Sequence, residues 1–205
     1  MSGFLLPGQM LCVLGPSGCG KTTLFDLLSG RKTYGTVEGE MLFDGAAPTP
    51  SMLRRHLGYV EQQDTLLGML TPAEMLMYTA ELKQPRGMPR ADKAAAVADL
   101  VRRLGLQRCQ HTVIGSVLRR GISGGESKRC NIGIALITSP RVLLIDEITS
   151  GLDSFYGGEV ALIVKDLARE GISVACTIHS PAPSVFALFD RVLLLQRGRT
   201  VYFGP

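Results

Sequence analysis

Paired cysteine motifs are missing from this sequence. Its five cysteines, Cys12, Cys19, Cys109, Cys130 and Cys176, are odd in number and scattered, with no C-x-x-C pair among them. That argues against a zinc site or a disulfide framework and for small reduced residues in a core. Long apolar runs are missing too, since none approaches the roughly 18 residues that span a bilayer. The apolar stretch at 4–14 has no basic residues before it and runs straight into a glycine-rich loop, so it reads as a strand and not as a signal peptide. Charge of one sign is scarce as well. A net charge of +4 with 20% charged residues is too small an excess to argue for nucleic acid or a membrane surface. There is no internal repeat and no low-complexity segment. What is present is an ordinary globular composition, 45% apolar over 205 residues, ample for one large domain or a core with a subdomain.

The order of elements is legible from periodicity. A short apolar run at 10–14, a Gly-rich turn and a helical pattern at 21–29 make strand, loop, helix. Residues 37–43 and 57–60 read as two further strands. From Thr71 to Leu104 the pattern is helical. Thr71-Pro72-Ala73-Glu74 supplies an N-cap, Pro at the first helical position and Glu at the third, and a second helix runs from about Arg90 to Gly105. Helices follow at 132–137 and 156–169, and β-rich runs at 142–145, 172–178 and 191–195. Strands alternating with helices predict an α/β fold with a mostly parallel sheet. The helical stretch at 66–138 interrupts the alternation and is expected to be an inserted helical subdomain. The core is then 1–65 and 139–205.

Gly15-Pro16-Ser17-Gly18-Cys19-Gly20-Lys21-Thr22 matches G-x-x-x-x-G-K-[ST] between a strand and a helix. Glycines let successive N–H groups turn inward toward phosphate oxygens, and the helix N-terminus, which includes Thr23, adds partial positive charge. Lys21 would reach β- and γ-phosphates, and the Thr22 hydroxyl would ligate Mg²⁺. Val142-Leu143-Leu144-Ile145-Asp146-Glu147 is a buried strand delivering two acids at its C-terminal end. Asp146 is the candidate Mg²⁺ partner, directly or through water, and Glu147 the candidate base for an attacking water.

Ile122-Ser123-Gly124-Gly125-Glu126 gives the chain its resemblance. It resembles the ABC ATPase family, whose signature is Ser-Gly-Gly-Gln/Glu at a helix start. On local grounds Ser123 can cap that helix. The resemblance implies a P-loop NTPase (RecA-like) core that binds ATP with Mg²⁺ and hydrolyses it. It also implies that Ser123, Gly124, Gly125 and Glu126 close over the nucleotide held by a second such domain, head to tail. In the same light Tyr59-Val60-Glu61-Gln62-Gln63-Asp64 looks like the Q-loop, with Gln62 sensing metal and water and Gln63 a near rival. Ser150-Gly151-Leu152-Asp153 looks like the D-loop, with Asp153 its acid, and His179 like the switch histidine.

Lys128-Arg129 after the signature, Asn131-Ile132-Gly133-Ile134-Ala135-Leu136-Ile137, Thr177-Ile178-His179-Ser180-Pro181 and the closing Val201-Tyr202-Phe203-Gly204-Pro205 are similar to the G subfamily of ABC transporters. That implies a domain at the cytoplasmic face of a membrane, partnered by a transmembrane domain absent from this chain and by a second nucleotide-binding domain, with no nucleic acid involved. The alternatives are a soluble ABC ATPase acting on nucleic acid or ribosomes, or a degenerate non-hydrolysing partner. Three departures stand out. Ile148 replaces the Pro that usually follows the catalytic Glu, which is expected to loosen that turn, and Ser127 replaces a usual basic residue. Only fourteen residues precede Gly15, so the aromatic adenine platform and the first antiparallel strands are expected to be cut off. Cys19, beside Lys21 at a helix start, is expected to be the reactive thiol.

Overall fold

The computed structural model describes residues 1–63, 65–116 and 119–205. Asp64, the last residue of the glutamine-bearing motif, lies outside them. In chain order the strands are β1 (Met10–Leu14), β2 (Leu57–Val60), β3 (Val142–Ile145), β4 (Ser173–Thr177), β5 (Arg191–Gln196) and β6 (Arg199–Gly204). The helices are α1 (Lys21–Leu28), α2 (Pro50–His56), α3 (Pro72–Lys83), α4 (Arg90–Arg103), α5 (Gly124–Leu136), α6 (Ser154–Arg169) and α7 (Pro183–Phe186).

The strands form one sheet in the order β2-β3-β4-β1-β5-β6. The first five are parallel, and only β6 runs antiparallel, closing a hairpin with β5. Alternation along the strands sorts the core. Leu11 and Val13 join Leu144, Ala175, Leu193 and Leu195 on one face, covered by Phe25 of α1. Met10 and Cys12 point to the other face, with Leu143, Ile145, Val174 and Cys176, under Val160 and Val164 of α6 and Ile132 of α5. A sheet covered on both faces needs strands apolar throughout, which is how β1, β3 and β4 read.

Helices α3, α4 and α5 all lie between β2 and β3 in the chain, and they pack on one another. Leu76, Leu104 and Ile132, none of them exposed to solvent, join them to the same hydrophobic cluster that runs under the sheet. Gly133 of α5 lets the helices approach closely, because a Cβ there would sit 2.9 Å from both Leu104 and Leu76. Among the described residues no helix is long and apolar enough to cross a membrane.

The sequence pattern misleads at 37–43, and the helix read at 132–137 is α5, which already starts at Gly124. Residues 37–43 form no strand; only Phe43 pairs, with Ala46, across the Asp44-Gly45 turn. β-propensity needs a neighbouring strand to act on, and this segment has none among the described residues. The stretch from Thr71 to Leu104 is broken at 84–89, before Pro89. Helix α2, which the sequence reading did not include, starts at Thr49-Pro50, with the Thr49 hydroxyl accepting from the Met52 N–H at 3.2 Å.

Candidate active site

Strands β1, β3 and β4 end side by side, and the motif residues hang from those ends. After β1 the chain turns through Gly15, Gly18 and Gly20, with φ of 155°, 74° and 105°. Gly15 is sterically required: a Cβ would lie 2.4 Å from the Leu195 carbonyl oxygen and 2.5 Å from Cys19 Sγ. Pro16, Ser17, Gly18, Thr22 and Thr23 are exposed at the rim. No side chain caps α1 at Gly20, so its first N–H groups face outward as donors for an anion. Lys21 is buried, and its Nζ donates to the carbonyls of Gly15 at 2.8 Å and Pro16 at 3.2 Å, which holds the ammonium inside the loop. On the β5 side the loop is pinned by the Gly198 N–H, which donates to the Cys19 carbonyl at 2.9 Å.

One hydrogen bond from the loop and one from the end of β4 meet at Asp146. Thr22 Oγ1 donates to Asp146 Oδ2 at 2.7 Å, and Thr177 Oγ1 donates to Asp146 Oδ1 at 2.5 Å. Asp146 is 2% exposed, so both oxygens of its carboxylate are satisfied by hydroxyls. Glu147 leaves the strand in the left-handed region, at φ 50°, and its N–H donates to Thr177 Oγ1 at 2.7 Å. Its Oε2 accepts from Gln62 Nε2 at 2.9 Å. The structure therefore brings Gln62, and not its neighbour Gln63, to Glu147. Thr22, Asp146 and Gln62 offer only oxygen ligands, a hydroxyl, a carboxylate and an amide carbonyl, the donor set that Mg²⁺ prefers.

The other motif residues sit nearby with local partners. Ser123 caps α5 through a capping box. Its Oγ accepts from the Glu126 N–H at 3.3 Å, and Glu126 Oε2 accepts from the Ser123 N–H at 2.8 Å. Burial would raise the Glu126 pKa, but the bonds from Ser123 and Cys109 and the Arg129 charge together hold the carboxyl below its usual value. Gly124 and Gly125 are packed from below by Leu152 and Tyr156, where a Cβ would meet each at 3.3 Å. Asp153 caps α6, its Oδ1 accepting from the N–H groups of Phe155 at 2.9 Å and Tyr156 at 3.1 Å. His179 is exposed after β4, its Nδ1 3.3 Å from Ser180 Oγ. Asp153 and His179 share the lining of one cleft.

Cys19 corrects an expectation. It is not an accessible loop thiol: it is 4% exposed and packs with Leu11, Val13 and Phe25. Its N–H donates back to the Pro16 carbonyl at 3.2 Å, and its side chain turns inward to the core. Ile148 was expected to loosen the turn. It is fully buried, and its N–H donates to the Thr177 carbonyl at 3.2 Å, a bond proline cannot make.

Two residues were read from the sequence only as parts of family-like runs, with no role at the site. Thr177 was the first residue of the Thr177–Pro181 run. Lys128, 3% exposed on α5, donates to the carbonyls of Glu61 at 3.4 Å and Gln62 at 3.2 Å. Asn131, one turn on and also buried, accepts from Thr65 Oγ1 at 3.5 Å. The signature helix thus grips the glutamine-bearing loop from both sides of Gln62. Burial of a lysine has no signal in a single sequence.

Known proteins are similar to this chain. The family profile described as "ABC transporter" matches residues 1–150. ABC transporter G family member 22 of Arabidopsis thaliana is 43% identical over 204 residues, which is 100% of this chain and 27% of that protein. ABC transporter G family member STR of Petunia hybrida is 44% identical over 204 residues, 100% of this chain and 25% of that protein. The chain thus spans about a quarter of the length of these curated relatives. Among solved structures, cbiO1 from Clostridium perfringens, described as part of the ABC transporter complex cbiONQ, matches with a TM-score of 0.81 at 25% identity, over 97% of this chain and 77% of that one. These relatives are transporters, and they give no support to an ATPase acting on nucleic acid or ribosomes. With its P-loop, paired acids and signature helix in one sheet-and-helix frame, the chain belongs to the ABC transporter family, as a nucleotide-binding domain of the G-family kind.

Proposed function

We propose that this domain binds ATP with Mg²⁺ and hydrolyses it, and that the cycle drives a substrate across a membrane. The observation that carries the reading is the 2.7 Å bond from Thr22 of the phosphate loop to Asp146 at the end of β3. It puts a P-loop hydroxyl and an acid in contact, where a metal-bound phosphate chain belongs.

Lys21 and the N–H groups of Gly18, Gly20, Lys21, Thr22 and Thr23 hold the β- and γ-phosphates by charge and hydrogen bonds. Thr22, Asp146 and Gln62 are the residues that would hold Mg²⁺, Asp146 directly or through water. When bound, the ion neutralises charge developing between the β- and γ-phosphates. Gln62 and Glu147 orient a water in line with the γ-phosphorus, and Glu147 accepts its proton. His179 donates to the γ-phosphate from the end of β4.

Ser123, Gly124, Gly125 and Glu126 form the start of α5, where Ser123 and Gly124 are exposed. They complete the site of a second nucleotide-binding domain, identical or related, while Asp153 meets that partner beside His179. Closure of the pair moves an attached transmembrane domain, which places this domain at the cytoplasmic face. Residues 1–65 and 139–205 act as the nucleotide-holding lobe, and 66–138 as the lobe that presents the signature.

The test is Lys21→Ala in the full-length protein, read by titration with a fluorescent ATP analogue. Binding should weaken by about a hundredfold, since a charge-assisted phosphate contact contributes about 2–3 kcal/mol. Unchanged affinity would remove the phosphate-loop assignment.

A further inference from the structure

We propose that Thr177 is a positioning residue of the hydrolysis reaction, holding the turn that aims Glu147. The proposal rests on the reading of Glu147 as the general base. Thr177 is the last residue of β4 and has no exposed surface. It makes one bond to each of three consecutive residues. Its hydroxyl donates to Asp146 Oδ1 at 2.5 Å and accepts from the Glu147 N–H at 2.7 Å. Its carbonyl accepts from the Ile148 N–H at 3.2 Å.

A hydroxyl is the group this place requires. It carries one proton to give and lone pairs to receive. It therefore satisfies a carboxylate oxygen on one side and a backbone N–H on the other. Valine has the same shape and does neither, and it would leave the Glu147 N–H without this acceptor beside a buried carboxylate.

The turn needs holding. Glu147 sits at φ 50°, a region that costs a residue with a Cβ about 1–2 kcal/mol. Such a conformation persists where surrounding bonds over-determine it. Here the bonds are those from Thr177, and the consequence is direction. Leaving the strand path carries the Glu147 side chain to Gln62, 2.9 Å away. The Ile148 N–H bond completes the clamp. A proline at 148 would supply a fixed φ instead; this chain ties the turn to β4.

The test compares steady-state ATPase of the full-length protein with Thr177→Val, Thr177→Ala and Thr177→Ser, with Glu147→Gln in the same series. Each variant's thermal midpoint is also measured. Loss of aim should lower kcat at least about tenfold in the Val and Ala variants while KM for ATP stays within about twofold, because Lys21 and the Thr22 bond to the other Asp146 oxygen stay in place. Serine keeps the hydroxyl and should recover kcat to within about threefold of wild type. Val and Ala variants that turn over like wild type would overturn the proposal. So would a serine variant as damaged as valine, or a fall in kcat matched by a rise in KM and a collapsed midpoint, since each marks a packing role. If Glu147→Gln is inactive and Thr177→Val fully active, the Thr177 proposal alone falls. If Glu147→Gln is active, the base assignment falls and this proposal with it.

Discussion

Replacing Glu147 by Gln separates binding from chemistry. The geometry shows what the amide keeps. The turn is set by backbone and hydroxyl bonds, from the Glu147 N–H to Thr177 Oγ1 at 2.7 Å and from the Ile148 N–H to the Thr177 carbonyl at 3.2 Å. Neither involves the carboxylate. The amide oxygen can still accept from Gln62 Nε2, now at 2.9 Å from Oε2. The fold should therefore stay within about 0.5 kcal/mol of wild type, as for other substitutions that break no named interaction. ATP affinity should be unchanged or tighter, because one negative charge no longer faces the γ-phosphate. The proton acceptor is gone, and a positioned general base contributes about 10²–10⁴-fold. That is about 3–5 kcal/mol of barrier. Single-turnover phosphate release should fall by at least about a hundredfold, with analogue binding intact. The trapped ATP state should also accumulate as a dimer on size-exclusion chromatography. Phosphate release within about threefold of wild type would refute the assignment of Glu147 as base.

Two further outcomes follow from burial and capping. All five cysteines are buried, with burial pushing the Cys12 thiol up to about 12 and Cys109 up to about 11. Maleimide should therefore label the native protein at none of them, Cys19 included, and label all five after unfolding; rapid native labelling of Cys19, mapped by mass spectrometry, would contradict its packing. The Glu126 carboxyl is held below its ordinary value of 4.5. A depressed folded pKa gives stability that is full above the unfolded value and is lost as pH falls through the folded one. The stability difference between wild type and Glu126→Gln, read by urea unfolding, should be present at neutral pH and vanish in acid. A difference that persists in acid would show that the capping box does not depend on the ionised carboxylate.

The phosphate loop was legible in the sequence because its requirements are local: glycines for the turn, an uncapped helix start, Lys21 and Thr22 at fixed spacing. Both capping boxes were legible for the same reason, since Thr71 with Glu74 and Ser123 with Glu126 are each one turn apart. The parallel sheet followed from strands alternating with helices. Other features needed the tertiary structure, because they depend on what lies across a gap in sequence. Residues 37–43 have the composition of a strand and lack a partner. Cys19 was read as the reactive thiol because it stands near Lys21 at a helix start; the core beneath the loop decided otherwise. Spacing left Gln62 and Gln63 close rivals; the fold chose by bringing Gln62 to an acid 85 positions away. Thr177 holds that acid from a separate strand, 30 positions on. Sequence sets which groups are available and how the backbone curls locally. Only packing of the strand ends against one another decides which of those groups meet.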